Sequence, residues 1–134
     1  MTESPTVNPA SLALILSGVF LNAVAQLLLK AGVNNVTAAV GPFAYSAENI
    51  LPIGMRLATQ WPIIGGLACY VLSVVVWILG LSRIDVSIAY PMLSLGYVLN
   101  AFGAWWLFGE AMTAQRLAGI GIIIVGVYVL ARSA

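Results

Sequence analysis

The chain has 134 residues, of which 62% are hydrophobic and 7% charged, with a net charge of +1 and no histidine. An ordinary globular domain carries about 25% charged residues; nine charged side chains cannot cover a soluble fold of this size, so much of its solvent must be lipid. The same inventory excludes histidine-based catalysis, offers one cysteine (Cys69) and no metal-spaced Cys, Asp or Glu cluster, and gives no basic surface for nucleic acid.

The charges fall at intervals. Between Glu3 and Lys30 lie 26 uncharged residues, between Arg56 and Arg83 another 26, between Asp85 and Glu110 24, and between Arg116 and Arg132 15. A bilayer core of about 30 Å needs about 20 helical residues. Three gaps clear that length. The fourth is short, and its flanking arginines would snorkel to the interface. The expected fold is an all-α membrane protein, one domain of four transmembrane helices over 1–134. Barrel strands would alternate apolar and polar residues, and 63–79 and 119–130 do not. The first apolar segment lacks the basic start of a signal peptide and is longer than its usual core, so cleavage is not expected.

In chain order, residues 1–10 carry two prolines and small polar groups and read as a tail. The first helix is expected over about 11–31, stopped by Gly32 with Asn34 and Asn35. Residues 33–60 form the long connection. Within it, 47–59 mixes Ile50, Leu51, Ile53, Met55 and Leu57 with Glu48, Asn49 and Arg56. That composition suits a short helix on the membrane surface, against which Pro52 and Gly54 count. The second helix, 62–81, opens with Trp61 at the interface and Pro62 in its first turn. A tight turn at 82–85 makes it an antiparallel neighbour of the third, 86–108, which Pro91 should bend. Trp105 and Trp106 mark its far interface, and 109–115 turns the chain into the fourth helix, 116–132.

Both termini then share one side with Arg83 and Arg132, opposite Lys30, Arg56 and Arg116. Two against three is almost no positive-inside bias. Either other features fix the orientation, or the protein inserts both ways and pairs antiparallel.

Polar groups inside a membrane are costly and therefore informative. Asn22, Gln26 and Lys30 recur every four residues, within about 80° of arc. They suit interhelical hydrogen bonding, worth about 0.6–2 kcal/mol per bond. They equally suit a polar path with Lys30 at its mouth to receive an anion, and Lys30 also suits a plain interfacial anchor. On the third helix Tyr90, Ser94 and Tyr97 share a face, with Asn100 beside it. Such groups match sugar hydroxyls, or simply pack and bond to backbone carbonyls. Tyr70, Ser73 and Trp77 repeat the spacing on the second helix, more weakly. On the fourth, Gly119 and Gly126 lie about two turns apart on one face. Glycines let helices approach closely, which points to a dimer interface or to packing within the subunit.

The string SIAYPMLSL at 87–95, the turn at Gly109 and Glu110, and the glycine-rich last helix closely resemble the flippase subunits that move 4-amino-4-deoxy-L-arabinose-phosphoundecaprenol. AQLLLK at 25–30 resembles the first helix of one of those subunits, and the long first connection resembles the other. The wider drug/metabolite transporter superfamily includes the small multidrug resistance exporters, four-helix proteins working as antiparallel dimers. Their membrane-embedded glutamate stands eight residues before a lysine; the matching position here is Asn22. An amide cannot supply the negative charge that offsets desolvation of a cation, so proton-coupled drug export is disfavoured.

The resemblance implies a dimeric flippase of the bacterial inner membrane that moves a polyprenyl-phosphate-linked (amino)sugar by alternating access, without a cofactor. Its partner would be a second copy or a sister subunit. Lys30, helped by Arg83 or Arg56, is the expected phosphate contact; Asn22, Gln26, Tyr90, Ser94 and Tyr97 are the expected sugar contacts. Glu110 or Asp85 would pair with an amine at a membrane face. No nucleophile lies beside a plausible base, so catalysis is not expected, and no embedded acid is present to couple protons. The rival readings are an exporter of small amphipathic cations and a non-transporting accessory subunit.

Overall fold

The computed structural model describes residues 9–41 and 47–133. Most of the expected tail, 1–8, lies outside the described residues; Pro9 and Ala10 already belong to the first helix. Every regular element among the described residues is helical: α1 (Pro9–Val40), α2 (Ala47–Ala58), α3 (Trp61–Leu81), α4 (Val86–Met92), α5 (Ser94–Phe108) and α6 (Ala114–Arg132). Four spans, α1, α3, the run α4–α5, and α6, are long and apolar enough to cross a membrane. The protein is multi-pass.

Helix α1 corrects the expected stop at Ala31. It continues to Val40 and ends at Gly41, whose φ of 83° is the left-handed geometry of a helix terminator. Gly32 serves packing instead: a Cβ there would collide with the Ile63 side chain at the start of α3. Val36 beyond it is buried, and Asn35 Nδ2 donates to Gln60 Oε1 at 3.3 Å, so partners on the α3 side hold the extra turns. At 1.5 Å per residue the 32 residues reach about 48 Å, well past a 30 Å hydrocarbon core.

The connection holds α2, with Pro52 inside it. Ile53 and Leu57 turn toward the protein, while Ile50, Leu51 and Met55 are exposed. The third span is broken at Leu93, one residue past the α4 end and two past Pro91. Proline cannot donate to the carbonyl one turn back, and the break is where the chain absorbs that loss.

Helices α1 and α3 form an antiparallel seam built from small residues at seven-residue intervals, about two turns apart. Ser11, Gly18, Ala25 and Gly32 on α1 meet Gly66, Ser73 and Gly80 on α3, all of them buried. A Cβ on Gly66 would lie 3.1 Å from the Ala25 carbonyl oxygen, and one on Gly80 2.5 Å from Ile15 Cδ1. Small residues let backbones approach where lipid removes the hydrophobic drive. Within the subunit the close packing that glycines permit is found here, on α1 and α3, a pair the sequence reading does not single out.

Helix α5 lies parallel to α1, with Gly96 against Val19 and Gly103 against Leu27. The apolar core, Ile15, Val19, Ile84, Ala89 and Met92, closes the end of the molecule near the α3–α4 turn, and Val127 of α6 packs on it. Helix α6 touches α5 and α4 but has no buried residue of its own.

Candidate functional site

The opposite end of the molecule is open. A cleft of about 550 Å³ lies there between α1, α5 and the α5–α6 loop, and its polar groups are Gln26, Lys30, Tyr97, Asn100, Glu110 and Arg116. Each arrives for a local reason. Gln26 and Lys30 are one turn apart on α1, and Leu27 between them packs on Gly103, which fixes the two walls together. Gly109 ends α5 with φ 69°, and the Glu110 amide donates to the Ala104 carbonyl at 3.3 Å. Only glycine takes that left-handed turn without strain, and the turn carries 110–112 back over the cleft.

Thr113 then caps α6, its Oγ1 accepting the Arg116 amide at 3.1 Å. The Arg116 Nη1 donates to the Ala111 carbonyl at 2.5 Å, pinning the guanidinium across the loop beside the cleft. Gly32 packs against Ile63, so Lys30 stands level with the start of α3, where Trp61 is 74% exposed. Tryptophan at that height marks the membrane–water interface. The cleft therefore opens at one membrane face.

Its electrostatics are lopsided. Two cations, Lys30 and Arg116, face one carboxylate, Glu110. Among the described residues, no hydrogen bond or ion pair engages the side chains of Gln26, Lys30 or Glu110. Asn100 Oδ1 is buried with no partner, a state that costs about 1–3 kcal/mol. A donor brought in from outside the chain would relieve it. The set is complementary to a headgroup carrying an anion, a smaller cation and hydroxyls.

A second hollow, about 250 Å³, lies deeper between α1, α3 and α4 and collects Asn22, Tyr70, Ser73, Trp77 and Tyr90. Ser73 Oγ donates to the Tyr70 carbonyl at 2.6 Å. The expected polar stripe of α1 is thus divided. Steps of four advance about 40° each around a helix, so Asn22 turns toward α3 while Gln26 and Lys30 turn toward α5.

Other expected contacts stand apart. Ser94 Oγ donates to the Pro91 carbonyl at 2.5 Å, engaged with backbone at the break, and lines neither hollow. Arg56 is exposed on α2, and Arg83 and Asp85 are exposed at the α3–α4 turn, the far end from Lys30. Gly119 and Gly126 are exposed, with no atom within 4 Å of a Cβ at either, so among the described residues no neighbour packs on them. Arg116 is the residue the sequence reading misses as a contact: it enters there only as the arginine that opens the last helix on the Lys30 side, and the loop that turns its guanidinium to the cleft is not legible in the letters.

Four apolar spans around a charged cleft at one face define a small multi-pass membrane protein of the transporter kind. The chain belongs to the EamA-like transporter family, whose profile matches residues 42–132. It is 46% identical over 51% of its length to the probable 4-amino-4-deoxy-L-arabinose-phosphoundecaprenol flippase subunit ArnE of Pseudomonas savastanoi, a match spanning 60% of that relative. To the ArnE subunit of Pseudomonas aeruginosa it is 42% identical over 59% of the chain and 68% of the relative. To the ArnF subunit of Shewanella sediminis it is 34% identical over 90% of the chain and 87% of the relative. The family resemblance read from the SIAYPMLSL and AQLLLK strings is borne out, and relatives of both subunit names are present. No solved structure matches.

Proposed function

We propose that the protein is one subunit of a dimeric flippase that carries a polyprenyl-phosphate-linked aminosugar across the bacterial inner membrane. The printed names of its relatives support this cargo class. The observation that carries the reading is the open cleft in which Lys30 and Arg116 oppose Glu110. Phosphate meets the two cations, the sugar amine meets Glu110, and Gln26, Tyr97 and Asn100 serve the ring hydroxyls. The deeper hollow at Asn22 and Tyr90 is the next station along the polar path.

Two features favour a partner subunit. The cleft is open on one side, and the glycine face of α6 has no neighbour among the described residues. An inverted second subunit, a copy or a sister protein, brings its Arg83 to the membrane face that holds Lys30 in the first. Alternating access then exchanges two equivalent clefts, as inverted repeats do. Asn22 leaves no buried acid at the position that serves cation exchange in drug exporters, so movement is downhill or driven by consumption of product.

Reconstitution into vesicles and measurement of translocation of the undecaprenyl-phosphate aminosugar tests this. Lys30→Ala and Arg116→Ala are each expected to lower the rate at least tenfold, the loss of one charge-assisted contact of about 1.5–3 kcal/mol. Asn22→Ala should lower it less. Wild-type rates in both charge variants would remove the assignment.

A further inference from the structure

Arg116 carries a bond that the flippase reading leaves unused. Its Nη1 donates to the Ala111 carbonyl at 2.5 Å, and Ala111 belongs to the loop that presents Glu110 to the cleft. We infer that Arg116 is a positioning residue as well as a phosphate contact. By bracing the 110–112 loop it keeps Glu110 apart from the cations, so that the cleft selects a headgroup bearing an amine in addition to its phosphate. The inference rests on the flippase reading above and deepens it, from the class of cargo to the feature that is chosen.

The starting observation is an ion pair that does not form. Arg116 and Glu110 carry opposite charges, lie six positions apart and line the same cleft. Opposite charges attract more strongly beside protein and lipid than in bulk water. Yet among the described residues no ion pair or hydrogen bond engages the Glu110 side chain. The Ala111 carbonyl supplies the reason: it occupies the guanidinium and holds it off the carboxylate. A cleft whose own charges had paired would show a nearly neutral wall to a zwitterion. Held apart, they form two poles.

Hydrogen bonds fix where the negative pole stands. Gly109 turns the chain with φ 69°, and the Glu110 amide donates to the Ala104 carbonyl at 3.3 Å, tying the start of the loop to α5. Thr113 Oγ1 accepts the Arg116 amide at 3.1 Å, tying its end to α6. The Arg116 side chain reaches the middle. Glu110 and Ala111 are exposed, so these bonds rather than core packing hold them in place.

A guanidinium suits the double duty. Its five N–H donors lie in a rigid plane, so Nη1 can stay on Ala111 while Nη2 and Nε remain for a phosphate. Lysine concentrates the same charge on one nitrogen at the end of a flexible stem. Lys30, on the opposite wall, has no such tether and can follow the phosphate, whereas Arg116 sets the distance from phosphate to Glu110.

The test uses the full chain in vesicles and two synthetic polyprenyl phosphates. One bears the aminosugar, the other the same sugar with a hydroxyl in place of the amine. The wild type should move the amine at least about tenfold faster, the worth of one charged hydrogen bond. Glu110→Gln should remove that preference. Arg116→Lys, which keeps the charge, should reduce it to about threefold or less. Combining the two should change it no further, as expected of residues acting on one contact. A full preference retained in Arg116→Lys would overturn the inference, and so would equal movement of the two lipids by the wild type, which leaves the flippase reading standing. A nitroxide at Ala111→Cys, in a Cys69→Ala background, reads the brace without transport. Its motion should rise in Arg116→Lys, and unchanged motion overturns the inference. Movement of neither lipid by the wild type would end the flippase reading and the selection with it, while the nitroxide decides the brace by itself.

Discussion

Helices α1 and α6 carry the same chemistry to different ends. On α1 small residues recur every seven positions, and Gly18, Ala25 and Gly32 each lie against α3, so the two helices approach closely over that stretch. On α6 Gly119 and Gly126 repeat that interval, flanked by Ile122 and Val129 at 73% and 61% exposure, and meet nothing among the described residues. The contrast teaches that a glycine interval specifies a capacity for close approach; whether the partner is internal depends on what the rest of the chain places opposite.

Substitutions grade this contrast by their effect on folding. Gly66→Leu should be the most damaging, because the Cβ already lies 3.1 Å from the Ala25 carbonyl oxygen and 3.2 Å from Leu28 Cβ. Overpacking of this kind costs about 1–3 kcal/mol, to be read as a lower unfolding midpoint by tryptophan fluorescence in mixed micelles. An unchanged midpoint would break the description of the seam. Gly109→Ala meets open space but a φ of 69°, and should cost about 1 kcal/mol while displacing Glu110. Translocation falling further than stability explains would tie that turn to the cleft.

Asn100→Leu tests the unpartnered acceptor. Removing a buried group that has no partner is near neutral or slightly stabilising, so the unfolding midpoint should hold or rise while translocation drops. A drop in both would give Asn100 a structural role. Smallest of all, Gly119→Leu with Gly126→Leu should leave the subunit within about 0.5 kcal/mol of wild type, as open surface positions do. Chemical crosslinking should show the dimer lost. Retention of the dimer would move the interface elsewhere, and strong destabilisation would erase the difference between the two helices.

What the sequence disclosed follows from how far each signal travels. The spans were legible because charges are expensive in lipid, and nine of them punctuate the chain. The Pro91 bend was legible because a missing amide has only local consequences. Helix ends were not: Gly32 reads as a stop until Ile63 is seen against it, and only then does it become a contact. The α1–α3 repeat was present in the letters but hidden among further small residues such as Ala23. For the site, Gln26, Lys30, Tyr97 and Glu110 were anticipated and do share a cleft, whereas Asn22 and Tyr90 share another. A four-residue rule places residues on one face but does not reveal the slow rotation of that face past two neighbours. Of the two readings open for Ser94, the structure shows the bond to a backbone carbonyl, because a hydroxyl beside a proline break has one close at hand.

One end of the protein is filled by Ile15, Ile84 and Met92, while the other is parted around Lys30. A polar group approaching from the Lys30 side therefore meets an entrance, whereas one approaching from the α3–α4 turn meets closely packed apolar side chains: the single subunit is asymmetric from face to face, a gate at one surface and a plug at the other.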